Sequence, residues 1–366
     1  MHKGKFRNMS FLKCLPSVFM IEDRYEIIVT LKEKGVVFVR VCGETFYEEN
    51  SGVLSSEKTF LKISVPQKKL DESKKYEIVY RKTIERKAYF SLLGEEETAR
   101  FDFKPLKKAE NIKIYHIADV HYAFENALRI AEYFGDDTDL FVLNGDVGEV
   151  ETQENYFDVC KYCGEISRGE VPIVFARGNH DTRGKLAEEY CNYFPNVRGR
   201  TYYTFETGGI KGIVLDCGED KADELPNYGG VNVFHEYRKK QTEFLKRLSA
   251  ENDGKIVFAI CHICPAMPTL HKGDEFDIEQ EEYAAWGREL ERVGIKFMLC
   301  GHYHRAFILH SEDERNIHPH TYPVIVGSAN DNGTLLGAGI VLNKNGAIVS
   351  FTDKSCRAIF SAELRF

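Results

Sequence analysis

The sequence lacks any run of about 20 apolar residues, the length that a membrane-spanning helix requires. It also lacks a long block of like charges, because 49 Lys and Arg residues are interspersed with 57 Asp and Glu residues. The formal net charge of -8 argues against a broad nucleic-acid-binding face. No internal repeat or low-complexity segment is present. We therefore expect neither a membrane nor a nucleic acid as a partner.

The ten cysteines lack the close spacing of a disulfide-stabilised domain, since they are spread from Cys14 to Cys356. Reduced thiols are therefore expected, and with them a cytoplasmic location. The N-terminal segment has a basic start and an apolar stretch, as a signal peptide does. Because Lys13 and Pro16 interrupt the apolar stretch and no small-residue cleavage site follows, no signal peptide is predicted.

The two parts of the chain have different patterns. With 366 residues, of which 43% are hydrophobic, the chain is long enough for two domains. Residues 1–107 are predicted to form an all-β, fibronectin-III-like sandwich, because apolar and polar side chains alternate there, as around Leu61, Ile63 and Val65. This region has no tight cluster of His, Asp or Cys. We expect it to be structural or to shape the substrate site.

Residues 108–366 alternate short apolar strands with amphipathic helices, which is the pattern of an α/β domain. Ligands of such domains usually bind beyond the carboxyl ends of the strands. Strands are predicted at Ile112 to Ala118, Leu140 to Leu143, Val171 to Phe175, Ile213 to Leu215, Ile256 to Ile260, Phe297 to Leu299 and Val324 to Val326. Helices are predicted near Glu125 to Phe134, Thr152 to Ile166, Lys185 to Tyr193, Glu236 to Leu248 and Gln280 to Arg292.

Five of these strands end in residues that can bind a metal ion. The ends are Asp119-Val120-His121, Asn144-Gly145-Asp146, Gly178-Asn179-His180-Asp181, Cys261-His262 and Gly301-His302-Tyr303-His304. Alternate residues of an extended segment face the same side, so Asp119 and His121 can bind one ion. The same spacing recurs at His302 and His304. Carboxylate, imidazole and amide oxygen donors without a thiolate suit Mn, Fe or Zn.

The ordered motifs D-x-H, G-D, G-N-H-D, H and G-H-x-H, across residues 111–330, resemble those of the calcineurin-like metallophosphoesterase superfamily. The resemblance implies a four-layer α/β/β/α sandwich. The preceding β-rich region is similar to the N-terminal sandwich of purple-acid-phosphatase-like phosphodiesterases. The activity that the resemblance implies is hydrolysis of phosphomonoesters or phosphodiesters of small substrates, by a hydroxide that two metal ions activate.

The resemblance also implies a role for each motif residue. One ion would be bound by Asp119, His121, Asp146 and His304. A second ion would be bound by Asp146, Asn179, His262 and His302, with Asp146 as the bridge. His180 would face the substrate as a catalytic residue, and Asp181 would orient its imidazole. The family often continues as G-D-x-x-D or, in true purple acid phosphatases, G-D-x-x-Y; Glu149 departs from both patterns, so a purple ferric centre is not expected.

Two other functions occur with these motifs. A protein-interaction scaffold, such as the retromer subunit of this superfamily, would be favoured by lost metal ligands, but none is missing here. A metal-dependent nuclease would be favoured by a DNA-binding element, and none is recognisable. Monoester and diester substrates, and the oligomeric state, stay undecided at this point.

Several residues near the motifs allow two interpretations. The pairs Cys160/Cys163 and Cys261/Cys264 could together form a four-thiolate zinc site, but packing in the core is favoured because the first pair falls in a predicted helix. Four residues flank the ligands and could either contact the phosphate or lie outside the site: Tyr122, Arg183, Tyr303 and Arg305.

Overall fold

A computed structural model describes residues 9–106, 108, 110–328 and 333–366 of the chain. Residues 1–8, the start of the segment considered above as a signal peptide, lie outside this description, as does Lys107, the predicted boundary residue. The helices are α1 (Gln67–Ser73), α2 (Phe124–Ala131), α3 (Gln153–Ser167), α4 (Tyr190–Tyr193), α5 (Phe234–Lys246) and α6 (Gln280–Val293). Among the described helices, none has the length and hydropathy needed to cross a bilayer.

The strands fall into an N-terminal and a C-terminal series. The first series is β1 (Ser17–Ile21), β2 (Arg24–Thr30), β3 (Gly35–Val41), β4 (Glu44–Phe46), β5 (Phe60–Pro66), β6 (Lys75–Arg86) and β7 (Ser91–Asp102). The second is β8 (Ile112–Ile117), β9 (Leu140–Asn144), β10 (Ile173–Ala176), β11 (Tyr203–Thr207), β12 (Ile210–Val214), β13 (Ile256–Ile260), β14 (Phe297–Cys300), β15 (Phe307–Leu309), β16 (Val324–Val326), β17 (Gly337–Asn343), β18 (Gly346–Thr352) and β19 (Ala358–Arg365).

Three sheets organise these strands. A nine-stranded sheet has the order β19-β18-β17-β8-β9-β10-β1-β2-β5, and a six-stranded sheet has the order β11-β12-β13-β14-β16-β15. In the first sheet β8, β9 and β10 run parallel, and in the second β12, β13, β14 and β16 do. Strands such as β9 and β13 are apolar runs buried along their whole length, because parallel strands are covered on both faces.

The two large sheets lie face to face between two layers of helices. Their inner faces share one core, in which Val142 of β9 and Phe258 of β13 are buried. Helices α2 and α3 cover the outer face of the nine-stranded sheet, and α5 and α6 cover that of the six-stranded sheet. The predicted four-layer α/β/β/α sandwich is therefore confirmed.

The N-terminal segment shares a sheet with the rest of the molecule. Strands β3, β4, β6 and β7 form a separate four-stranded sheet, but β1, β2 and β5 extend the nine-stranded sheet. The connection is a parallel pairing of β1 with β10, in which Phe19 lies opposite Ile173. The predicted sandwich therefore has one sheet in common with the following domain, and sheet pairing crosses the boundary at residue 107. Alternating polarity shows that a strand is half-buried, but it does not identify the partner strand.

Most predicted elements occur close to their predicted positions, and β13 and β16 have the predicted bounds. The helix predicted near Lys185 to Tyr193 is shorter. It consists of a 3-10 turn, Ala187–Glu189, followed by the four-residue helix α4. The helix stops before Phe194 because Pro195 forces the residue that precedes it into an extended conformation, with ψ of 163° at Phe194.

Candidate metal centre

The predicted ligands lie in five loops that meet at the carboxyl ends of the parallel strands. Three loops follow β8, β9 and β10 in the nine-stranded sheet, and they carry Asp119, His121, Asp146 and Asn179. Two loops follow β13 and β14 in the six-stranded sheet, and they carry His262, His302 and His304. The site therefore sits where the two packed sheets end, at the edge at which α/β folds place ligands.

Two groups of described side chains could each hold a metal ion. The first is Asp119, His121 and His304, and the second is Asp146, His262 and His302. Within each group, the candidate ligand atoms lie within 4.8 Å of one another. His121 Nε2 lies 3.2 Å from His304 Nε2 in the first group. Asn179 Oδ1 adjoins the second group, 3.2 Å from His302 Nδ1.

Asp146, a member of the second group, lies next to the first group as well. Its Oδ2 atom lies 3.1 Å from His262 Nε2 and 3.8 Å from His121 Nε2. Its Oδ1 atom accepts a hydrogen bond of 2.8 Å from the backbone N–H of His180. One oxygen therefore faces both groups, while the other fixes the carboxylate to the loop after β10.

The His262 imidazole is aimed into the centre by the backbone. Its Nδ1–H donates to the carbonyl oxygen of Asn144 at 2.6 Å. This bond orients the ring so that Nε2 faces Asp146 Oδ2 at 3.1 Å, and the side chain is fully buried. A buried imidazole oriented through its other nitrogen is the usual arrangement of a metal ligand. Sequence reasoning could not identify this role of Asn144, because it depends on a main-chain carbonyl.

Two further contacts orient oxygen donors. Asp220 accepts a hydrogen bond of 3.3 Å from Asn179 Nδ2, which turns Asn179 Oδ1 toward His302. Ser328 Oγ donates to Asp119 Oδ2, which also accepts the backbone N–H of His302 at 2.9 Å. Neither Ser328 nor Asp220 was predicted. The position of Ser328 just beyond β16 is the same signal that identified the ligands at other strand ends.

The backbone around the centre is strained. Five of the seven predicted ligands have positive φ values between 42° and 77°: Asp119, His121, Asp146, His302 and His304. Such conformations cost about 1 to 3 kcal/mol each in residues with a side chain, and they cluster at functional sites. Crowding also requires glycine at Gly178, where an added Cβ would lie 2.2 Å from Asp146 Oδ1.

Opposite charges are buried together in the second group. Burial alone would raise the pKa of Asp146, but the neighbouring His262 holds it well below its usual value. Burial would likewise lower the pKa of His262, but Asp146 and Asp119 raise it well above its usual value. Burial lowers the pKa of His302 to about 4, so this imidazole is neutral at pH 7. A cation would therefore compete with a proton at His262 but not at His302.

Asp181 has a different role from the predicted one. Its carboxylate does not hold His180; instead it accepts four backbone N–H groups, from Asp146, Val147, Gly148 and Gly178, at 2.8 to 3.4 Å. It thereby fastens the loop after β9 to the loop after β10. The prediction failed because residues His180–Thr182 form a 3-10 turn, in which successive side chains point in different directions.

The partner of His180 is Glu149. Its Oε1 atom lies 2.8 Å from His180 Nδ1, and both side chains are partly exposed. The opposite side of the imidazole faces the centre, since the His180 and His121 rings are 4.9 Å apart in an edge-to-face arrangement. Glu149, whose side chain departs from the family pattern, therefore supplies the orienting carboxylate that was assigned to Asp181.

The remaining flanking residues differ in their contacts. Tyr303 is buried, and its hydroxyl donates to the carbonyl oxygen of Met267, so it packs below the site. The Tyr122 hydroxyl donates to the carbonyl oxygen of Glu149, and the residue is 39% exposed. Arg183 lies beside His180 and binds two carboxylates, Glu219 and Asp220.

The two cysteine pairs do not form a common site. Cys160 and Cys163 lie on the buried face of α3, whereas Cys261 and Cys264 are buried in the core under α5 and α6. All four are free thiols. The packing role favoured by the sequence is therefore confirmed.

Comparisons with known proteins identify relatives of this arrangement. Residues 112–306 match the family model described as calcineurin-like phosphoesterase. The serine/threonine-protein phosphatase CPPED1 of Danio rerio is 24% identical over 136 residues, which cover 37% of this chain and 42% of that protein. CPPED1 of Homo sapiens is 24% identical over 175 residues, 45% of this chain and 53% of that protein. The chain thus spans about half the length of the curated relatives it matches.

Two solved structures share the fold over nearly the whole chain. The purple acid phosphatase PPD1 from yellow lupin seeds, Lupinus luteus, superposes with a TM-score of 0.61 at 11% identity, covering 96% of this chain and 74% of that one. PhoD superposes with a TM-score of 0.59 at 10% identity, covering 98% of this chain and 90% of that one. At such low identities these likenesses describe the fold alone.

Proposed function

Because the chain belongs to the calcineurin-like phosphoesterase family, we propose that it hydrolyses phosphoester bonds of small substrates with two divalent metal ions. The observation that supports this most is the position of Asp146, whose Oδ2 faces both groups of candidate ligands. The names of the CPPED1 relatives and of the lupin protein, all phosphatases, agree with the proposal.

The residues of the centre fit a pair of metal ions. The hydrogen bond at Nδ1 turns the buried Nε2 of His262 toward Asp146, and the candidate donors are imidazole nitrogen, carboxylate oxygen and amide oxygen atoms. One ion would be held by Asp119, His121, Asp146 and His304, and the other by Asp146, Asn179, His262 and His302. This donor set suits Mn, Fe or Zn. When bound, such ions neutralise phosphoryl oxygens and lower the pKa of water from ~15.7 to about 7.

The chain supplies the proton donor. Glu149 accepts a hydrogen bond from His180 Nδ1–H, and a substrate oxygen would replace Arg183 Nη1, which lies 3.0 Å from Nε2 on the other side of the ring. From there a protonated Nε2 can transfer its proton to the leaving oxygen as the phosphorus–oxygen bond breaks. General acid catalysis of this kind is worth about 10² to 10⁴-fold in rate. Asp181 contributes indirectly, by holding together the loops that carry Asp146 and Asn179.

The test combines metal binding with turnover. Protein stripped of metal is reconstituted with Mn, Fe or Zn and assayed on p-nitrophenyl phosphate, bis(p-nitrophenyl) phosphate and cyclic nucleotides, with bound metal measured by mass spectrometry. We expect turnover with at least one metal, and loss of both metal and turnover in His302→Ala. The matched control is His310→Ala, an exposed histidine at the far end of β15 from His304. Metal binding without turnover of any ester would favour the scaffold function instead.

A further inference from the structure

Arg183 has a fixed orientation beside the proposed proton donor. Its Nε and Nη2 atoms each donate to Glu219 at 2.7 Å, in a two-pronged ion pair. Nη2 also donates to Asp220 at 3.2 Å. The remaining nitrogen, Nη1, lies 3.0 Å from His180 Nε2. The Arg183 side chain is 28% exposed.

A count of donors shows what Arg183 can still bind. A guanidinium has five N–H groups. Glu219 and Asp220 take three of them, which leaves both N–H groups of Nη1 free of carboxylates. Glu219 is itself 2% exposed and accepts a hydrogen bond from Tyr228. The ion pair between Glu219 and Arg183, which we call the clamp, is therefore rigid. Nη1 is therefore a preorganised donor at the place where a substrate oxygen would meet His180.

The two classes of phosphoester differ in the oxygens that such a donor can bind. A monoester has three non-bridging oxygens and carries nearly two negative charges at pH 7, whereas a diester has two such oxygens and one charge. The divalent ions can neutralise oxygens of either ester, but only the monoester has a third. Because Glu219 offsets the charge of Arg183, discrimination here depends on a directional hydrogen bond more than on long-range attraction.

We infer that Arg183 donates from Nη1 to a phosphoryl oxygen of the substrate and thereby makes the site prefer phosphomonoesters to phosphodiesters. The inference rests on the proposed function and adds the substrate class to it. Substrate binding would replace the contact between Nη1 and His180 Nε2 and leave the clamp by Glu219 in place. Arg183 would then touch the reacting phosphoryl group and be a catalytic residue.

The experiment compares two esters in paired variants. Removing Arg183 alone would leave the buried Glu219 unpaired, so the main variant is the double substitution Arg183→Gln with Glu219→Gln. Arg183→Lys keeps a positive charge but loses the two-pronged geometry. The control is Arg100→Gln, which removes an exposed arginine that pairs with Glu77 on the four-stranded sheet. Metal content and melting temperature are measured for every variant.

For the double variant we expect kcat/KM for p-nitrophenyl phosphate to fall about ten- to a hundred-fold, the size of a lost charge-assisted hydrogen bond. We expect kcat/KM for bis(p-nitrophenyl) phosphate to change less than about two-fold, since a diester lacks the third oxygen. The kcat/KM of Arg183→Lys for p-nitrophenyl phosphate should lie between those of the double variant and the wild type. The Kd for inorganic phosphate, measured by calorimetry, should rise in the double variant by a factor similar to the fall in kcat/KM for the monoester.

The following results would overturn the inference. An equal fall for both esters would show that Arg183 only holds the loop in place, as would loss of bound metal in Arg183→Lys. Unchanged phosphate binding in the double variant would show that Nη1 does not contact the anion. If the wild type turned over neither ester with any metal, the proposed function would fail together with the preference. An active wild type whose ester ratio is unaffected by the variants would overturn the preference alone.

Discussion

Replacing Asp181 by Asn tests whether this residue fastens two metal-binding loops or orients His180. The carboxylate accepts Asp146 N–H and Gly178 N–H on Oδ2, at 2.9 and 2.8 Å, and two longer bonds on Oδ1. An amide has a single acceptor oxygen, so its NH₂ group would face two buried backbone donors. Each buried N–H group left without an acceptor costs about 1 to 3 kcal/mol. Because one of the two lost hydrogen bonds is long, we expect the free energy of unfolding to fall by about 2 to 4 kcal/mol.

The assay is thermal unfolding with bound metal measured in parallel. For a chain of 366 residues, the expected loss corresponds to a melting temperature lower by about 3 to 5 °C. Metal content should fall too, because the loops that carry Asp146 and Asn179 would separate. The matched variant is Glu149→Gln, whose 47% exposed side chain contacts His180. It should keep the melting temperature and the metal, but lower kcat about ten-fold or more.

The opposite results in these two variants would contradict the roles assigned to Asp181 and Glu149. If Asp181→Asn kept its melting temperature and its metal and lost only kcat, Asp181 would orient His180, as the family resemblance implied. If Glu149→Gln retained full kcat, the contact between Glu149 and His180 would have no catalytic role.

Three further predictions follow from single contacts. Gly178→Ala should reduce bound metal, measured by mass spectrometry, because the new Cβ would lie 2.2 Å from Asp146 Oδ1; unchanged stoichiometry would contradict this. Chelation of the metal should lower the melting temperature and added Mn or Zn should restore it, because the ions would offset the buried Asp119 and Asp146; a melting temperature indifferent to metal would count against the centre. Burial lowers the pKa of His116 to about 3, below its unfolded value of ~6.5, so its contribution to stability is complete above pH 6.5 and is lost as the pH falls toward 3. In denaturant titrations from pH 7 to 4, His116→Gln should therefore lose stability less steeply than the wild type, by up to about 3 kcal/mol over that range, and equal slopes would refute the assignment.

The strand-end motifs were predictable because each lies within a few residues of its strand. The fold places the ends of β8, β9, β10, β13 and β14 together, so the local motifs at these ends were sufficient to predict that the seven residues would meet at one edge. The residues that support them were harder to find. Asn144 acts through its main-chain oxygen, and Ser328 reaches Asp119 across 209 positions of the chain.

The N-terminal region shows why long-range pairing escapes sequence patterns. The alternation around Leu61, Ile63 and Val65 correctly indicates β5, but the sheet continues through β2 to β1, and β1 pairs with β10, which lies more than 150 residues further along the chain. The local alternation of polar and apolar residues does not identify that partner strand. The same limit applies to Asp181 and Glu149, since the 3-10 turn at His180–Thr182 decides which carboxylate reaches the imidazole.

The dependence of turnover on bound metal tests the central claim most directly. Protein stripped of metal is titrated with Mn²⁺, and hydrolysis of p-nitrophenyl phosphate is measured against the number of ions bound per chain. The two groups that share Asp146 predict that turnover rises until two ions are bound and then levels off. Turnover that is complete with one ion, or that does not depend on metal, would contradict a dinuclear centre.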